Sequence, residues 1–276
     1  MAGQFIDARY PGLVVARICE HAAAIDDSGH RQIRHRDDLA IIHPAVLDAW
    51  VPDGMGLQPT GPSFMFWDDE DVILKISGAL TIGDETVGRL ARELNTCRGY
   101  AEHWTFWLDE NAPAGRHFGA RQLRRSAELY QRLSVPLVRT SPTFKGRYVW
   151  TRCGFTFRNE QHDHATTFAD AATRFLVAMK RWDERSDPLP RHVWASDYLR
   201  YDGTRNQPNV VTADEIVDAH RRLDFDSDLT PPPEAETLLG RALLLFAPVI
   251  GWDASLDLMT EPRAISDLDG YTRKYR

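Results

Sequence analysis

Cysteine is scarce in this chain: Cys19, Cys97 and Cys153 are the three in 276 residues. An odd number of widely spaced cysteines is not a disulfide framework, and it reads as reduced thiols in a cytoplasmic protein. Long apolar runs are missing too. Nothing approaches the roughly 18 apolar residues of a membrane span. The first residues, Met1-Ala2-Gly3-Gln4-Phe5-Ile6-Asp7, lack the basic-then-apolar order of a signal peptide. Positive charge is in deficit, with a formal net charge of −7, which argues against bulk nucleic-acid binding. Internal repeats and low-complexity tracts are absent. What remains is ordinary globular composition, 43% apolar and 26% charged. At this length it makes one large domain or two small ones.

Residues 99–157 organise the rest. Trp104, Phe106 and Leu108 alternate, predicting a strand over 102–108. A loop over 109–120 carries Gly115-Arg116-His117-Phe118-Gly119-Ala120. It runs into a predicted helix, 121–133, whose apolar members Leu123, Ala127, Tyr130 and Leu133 share one face. A second strand, 135–140, and a short helix, 144–152, follow, ending in Cys153-Gly154-Phe155. A glycine turn between a strand and a helix N-terminus offers free backbone N–H groups and a positive dipole end to phosphate. Arg116, Arg121, Arg124 and Arg125 add four cations there.

Upstream, helical spacing covers 14–24 and 38–50, around a polar run, 26–37, read as a solvated loop. The turn Val51-Pro52-Asp53-Gly54 marks a boundary. Residues 62–67 are apolar and aromatic, residues 72–80 form a β-branched strand, and residues 85–94 form its partner across a short turn. Together they predict an antiparallel meander feeding the strand at Glu102. Downstream, residues 165–182 read as a helix stopped by Asp187-Pro188-Leu189-Pro190, and residues 192–209 as loop. Thr212-Ala213-Asp214-Glu215 resembles a capping box opening a helix to residue 223. A short helix at 234–239 and a buried strand at 242–246 follow, then a polar, loosely held tail from Pro262.

This order of elements resembles the acetyl-CoA-dependent N-acetyltransferases of the GNAT superfamily, over about residues 61–157. Their pyrophosphate loop, Gln/Arg-x-x-Gly-x-Gly/Ala, is matched by Ala114-Gly115-Arg116-His117-Phe118-Gly119, where the last glycine fits. Their helix ending Tyr-x-x-x-Gly-Phe is matched by Trp150-Thr151-Arg152-Cys153-Gly154-Phe155. The tyrosine that protonates the leaving thiolate in many members is Trp150 here, and an indole N–H is no useful acid. Tyr148, two residues away on a helix and aimed elsewhere, is the remaining phenol.

The resemblance implies an α/β (α+β) fold with a GNAT-like mixed sheet. It divides the chain into a helical N-terminal extension (1–60), the core (61–160), and a helical insertion with the last strand (161–276). It implies transfer of an acetyl group from acetyl-CoA to the amine of a small molecule. Leu108, Asp109, Gly115, Arg116, His117, Phe118, Gly119, Ala120 and Arg121 would bind the cofactor. His103, Glu102 and Tyr148 are the catalytic candidates. His103 and Glu102 are adjacent on a strand, so only one of them faces a cleft. Transfer from an aminoacyl-tRNA, decarboxylation of an acyl thioester, and a non-catalytic binding module are the alternatives. A homodimer is left open. No metal is expected: His162-Asp163-His164 lacks a third ligand and reads as a helix cap. Cys153 reads as a buried structural thiol.

Overall fold

The computed structural model describes residues 30–33, 44–60, 63–68, 71–95, 98–109, 118–142, 145–157, 164–225, 236–249 and 253–273. The chain separates into two compact units, Met1–Thr140 with Asp257–Arg276, and Ser141–Leu256. The fold is α+β, a mostly antiparallel sheet with helices.

The first unit contains strands β1 (His30–Ile33), β2 (Gly56–Pro59), β3 (Ser63–Asp68), β4 (Asp71–Ile82), β5 (Glu85–Asn95), β6 (Tyr100–Leu108) and β7 (Leu137–Thr140). Strands β3 to β6 form an antiparallel meander, with β1 on β3 and β2 on β4. The polar run 26–37 thus contributes a strand at His30–Ile33 where a loop was expected. Strand β7 pairs parallel to β6, from Tyr100↔Leu137 to His103↔Thr140. Along β4 the burial alternates: Leu74, Ile76 and Leu80 lie inside, while Lys75, Ser77 and Ala79 lie on a half-open face. That is the normal state of an antiparallel sheet with one face covered.

Helix α1 (Pro44–Trp50) and helix α2 (Phe118–Arg132) belong to this unit. Leu123, Ala127, Tyr130 and, just past its end, Leu133 are all buried. Burying a leucine of that kind stabilises by about 1.5–3 kcal/mol. The carbonyl of Ala49, in the last turn of α1, accepts from Gln122 Nε2 and, at 2.9 Å, from Ser126 Oγ. Side chains of α2 thereby satisfy an acceptor that the helix end leaves open.

The second unit contains α3 (Lys145–Arg152), β8 (Thr156–Phe157), α4 (His164–Ala178), a 3-10 helix (Ala195–Asp202), short strands β9 (Gly203–Thr204), β10 (Gln207–Pro208) and β11 (Val210–Thr212), and α5 (Ala213–Arg222). Strand β12 (Glu236–Leu238), helix α6 (Leu239–Phe246) and β13 (Ala254–Asp257) follow. Several expectations are corrected here. Residues 242–246 are helical, and Glu236–Leu238 is a strand paired with β11. Four of the five residues are Leu or Ala, which favour helix, and the run has no β-branched residue, Phe246 alone favouring a strand. The strand that pairs with β8 is instead β13, through Ala254↔Phe157 and Ser255↔Thr156. Residues 192–209 include the 3-10 helix. The polar tail folds as α7 (Pro262–Thr272) in the first unit, opened by a Glu261 cap and a proline in the first turn.

Candidate functional site

Strand β6 positions the candidate residues of the first unit. Gly88, opposite Leu108, lets the strands approach closely, since a Cβ there would meet Trp107 O at 2.3 Å. Pairing with β7 stops at His103, so residues 104–108 of β6 have no neighbour on that side among the described strands. Between β5 and β6 the register shifts from Ala91↔Thr105 to Arg92↔His103, which makes Trp104 the extra residue of a β-bulge.

His103 is buried at 3% exposure, and its Nε2 lies 2.9 Å from Tyr130 Oη. Trp50 Nε1 donates to the same oxygen at 2.8 Å. An indole only donates, so Tyr130 can pass its own proton to His103 Nε2. Burial, with a smaller contribution from the Arg92 cation, holds the His103 pKa well below its ordinary 6.5. The Tyr130 phenol is pushed up to about 12 by burial. At neutral pH both groups are uncharged. Thr140 Oγ1 donates to the His103 carbonyl at 2.9 Å, tying β7 to this point.

Arg92 completes the cluster and was not anticipated. It is 2% exposed, and burial lowers its pKa to about 10, so it stays a cation. Its Nη1 donates to Thr105 O at 2.6 Å and Ala91 O at 2.9 Å, and its guanidinium lies 5.6 Å from the Phe106 ring centre. The available signal was parity: Arg92 occupies the same side of the strand as Leu90 and Leu94, both buried.

Glu102 is also buried, one residue along and therefore on the other face. It stands in register between Glu93 on β5 and Arg139 on β7. Tyr100 Oη donates to Glu93 Oε1 at 3.0 Å, and the Arg139 guanidinium lies 4.5 Å from the Tyr100 ring centre. Burial, with that carboxylate beside it, raises the Tyr100 pKa.

Among the loop candidates, Gly115, Arg116 and His117 lie outside the described residues, as do the side chains of Phe118 and Ala120. Leu108 and Asp109 are half-buried, and the Asp109 N–H donates to Val87 O at 2.8 Å. Gly119 is the second residue of α2, whose first turn carries no acidic residue. A Cβ on Gly119 would meet only Phe106 Cε1, at 3.8 Å. Arg121 is exposed. Arg124 pairs with Glu128 at 2.9 Å and Asp269 at 3.6 Å, while Arg125 makes two bonds of 2.6 Å to Asp53.

In the second unit, Arg152 Nη1 donates to Tyr148 Oη at 3.1 Å, and the Arg241 guanidinium lies 5.2 Å from the Tyr148 ring centre. Trp150 packs against Phe155 at 5.1 Å between centroids. Cys153 is a buried free thiol. Of the His-Asp-His step only His164 is described, its Nε2 3.6 Å from Asp253 Oδ2. Among the described residues no three His, Cys, Asp or Glu side chains gather as metal ligands, and no helix is long and apolar enough to cross a membrane. Neither a protein-family model nor any curated protein matches the chain.

Proposed function

We propose that the first unit binds a phosphorylated acyl carrier, acetyl-CoA by preference, and passes the acyl group to the amine of a small molecule. The observation that carries this reading is the half-open edge of β6. Past His103 its backbone groups on that side are without a strand neighbour among the described residues, beside a bulge and ahead of the α2 N-terminus. An extended amide-bearing arm can pair with such an edge as an added strand would. Phosphates suit the helix N-terminus, where Gly119 permits close approach and Arg121 supplies charge.

The chemistry asks little of side chains. The amine attacks the thioester carbon, the tetrahedral intermediate collapses, and the thiolate leaves. Positioning and N–H donors aimed at the developing oxyanion supply most of the acceleration. The attacking nitrogen must shed a proton. On β6, His103 and Glu102 are the candidates to accept it. Tyr148, on α3 of the second unit, takes no part in this scheme.

Native mass spectrometry of the full chain with acetyl-CoA tests the reading. A one-to-one adduct is expected. Arg121→Ala should weaken it by about 1–3 kcal/mol, the loss of a charge-assisted bond. Arg125→Ala should leave it unchanged, because Arg125 is engaged by Asp53. Absence of an adduct, or equal loss in both variants, overturns the proposal. A co-purified tRNA would favour the aminoacyl-tRNA alternative.

A further inference from the structure

The outward face of the meander, away from the His103 cluster, carries two large exposed aromatic residues. Trp104 is 53% exposed and Trp107 is 54% exposed. The bulge explains the first. By inserting Trp104 into β6 it turns Trp104 and Thr105, successive residues, outward together, and both are exposed. The device that holds the bulge is costly. Arg92 spans it from the inner side, donating to carbonyls on both strands, and no described carboxylate pairs with it. A cation buried that way carries a large desolvation penalty. A bulge maintained against such a penalty is an arrangement for presenting Trp104.

The surroundings of the two indoles define what they can hold. Ser77, Ala91 and Thr105 stand in one register row, a floor of small residues across three strands. Arg89 is directly opposite Trp107, exposed, with no ion-pair partner among the described residues. The Lys75 ammonium lies 5.4 Å from the Trp104 ring centre. Two acidic side chains share this face: buried Glu102, in register with Arg139, and Glu93, engaged by Tyr100 Oη at 3.0 Å and by Trp104 Nε1 at 3.4 Å. Two π faces on a shallow floor, flanked by cations, match a ligand that is planar and aromatic in one part and anionic in the next.

We infer that this face is a platform for single-stranded RNA, with bases stacked on Trp104 and Trp107 and phosphates met by Arg89 and Lys75. Base–aromatic stacking with a cationic margin is how sheets hold single strands. The chain's net negative charge does not oppose this, since on this face Arg89, Lys75 and Arg139 outnumber Glu93 and Glu102. A protein partner would suit the indoles but not their cationic margin. The Thr105 hydroxyl, on the floor, is placed to meet a ribose 2′-hydroxyl. The inference stands apart from the acyl-transfer reading and survives its failure.

The test is quenching of tryptophan fluorescence in the full chain, titrated with a uridine-rich RNA of about 10 nucleotides, within the span such surfaces cover. Saturable quenching is expected. Trp104→Ala and Trp107→Ala should each weaken binding by about 5- to 150-fold, the usual loss of one stacked base. Arg89→Ala should weaken it and lower the salt slope by about one unit. Trp104→Phe should retain part of the affinity, showing that a π face rather than correct folding was lost. Arg221→Ala, on an exposed arginine of the second unit, should change nothing. Absence of quenching, or quenching indifferent to these variants, overturns the inference. So does full competition by uridine monophosphate alone, which would mark a mononucleotide site. Quenching produced by protein concentration alone would mark a contact between copies and also overturn it.

Discussion

Gly119→Ala separates packing from binding at the second residue of α2. The backbone there is helical, and a methyl group would meet one atom, Phe106 Cε1, at an ordinary van der Waals distance of 3.8 Å. Alanine is the better helix former and restricts the unfolded chain, so the substitution should stabilise by about 0.4–1 kcal/mol. That corresponds to a rise in Tm of roughly 1–4 °C for a unit of this size. If phosphate approaches the α2 N-terminus closely, the same methyl group stands in its way, and affinity for acetyl-CoA should fall by about tenfold or more, at least 1.4 kcal/mol. Thermal melting and calorimetry on one preparation read both quantities. A variant that is more stable and binds less is the expected pair. A variant that is more stable and binds as the parent does removes Gly119 from the site. One that melts lower refutes the packing argument itself.

Acid should weaken the first unit through His103. Its folded pKa lies below its unfolded value of about 6.5, so the unfolded chain binds the extra proton and stability is lost as pH falls below 6.5. The slope from this group is about 1.4 kcal/mol per pH unit. Denaturant midpoints from pH 7.5 downward should show it, and His103→Gln should remove it; an identical slope in the variant rejects the assignment. If His103 is also the base, the rising limb of the rate profile lies below pH 6.5. In the second unit, Gly240→Ala would push a Cβ to 2.4 Å from Tyr198 O and 2.9 Å from Leu199 Cα. It should destabilise by about 1–3 kcal/mol or more, as overpacking does, and an unchanged midpoint in urea would contradict the geometry.

Local patterns carried the fold reading where one element explains its own residues. The Thr212 box is complete: Glu215 N–H donates to Thr212 Oγ1 at 3.3 Å and Thr212 N–H to Glu215 Oε2 at 2.8 Å. The alternation in β4 likewise reports one covered face, whereas in β6 the bulge turns Trp104 outward, away from Phe106 and Leu108. The run at 242–246 failed because periodicity is silent where every residue is apolar, and composition had to decide. The His103 cluster could not be read at all. Trp50 and Tyr130 are 80 residues apart, and His103 and Tyr130 are 27 apart, so no local pattern joins them. Arg92 carries no signal beyond its parity with Leu90 and Leu94, because a lone buried cation breaks the rule by which core positions are recognised.

The division of the chain also sets an order of assembly. The first unit opens with the meander and closes with α7, but all of Ser141–Leu256 is synthesised between them. Helix α2 waits through that interval for Asp269, which meets Arg124, and for Leu258, whose carbonyl accepts from Gln131 Nε2 at 3.0 Å. Because translation proceeds at about 5–20 residues per second, the nascent meander spends several seconds with one flank of α2 unclosed. A chain stopped after Leu256 would be frozen in that state, and a chaperone that recognises uncovered helix flanks would find its substrate there.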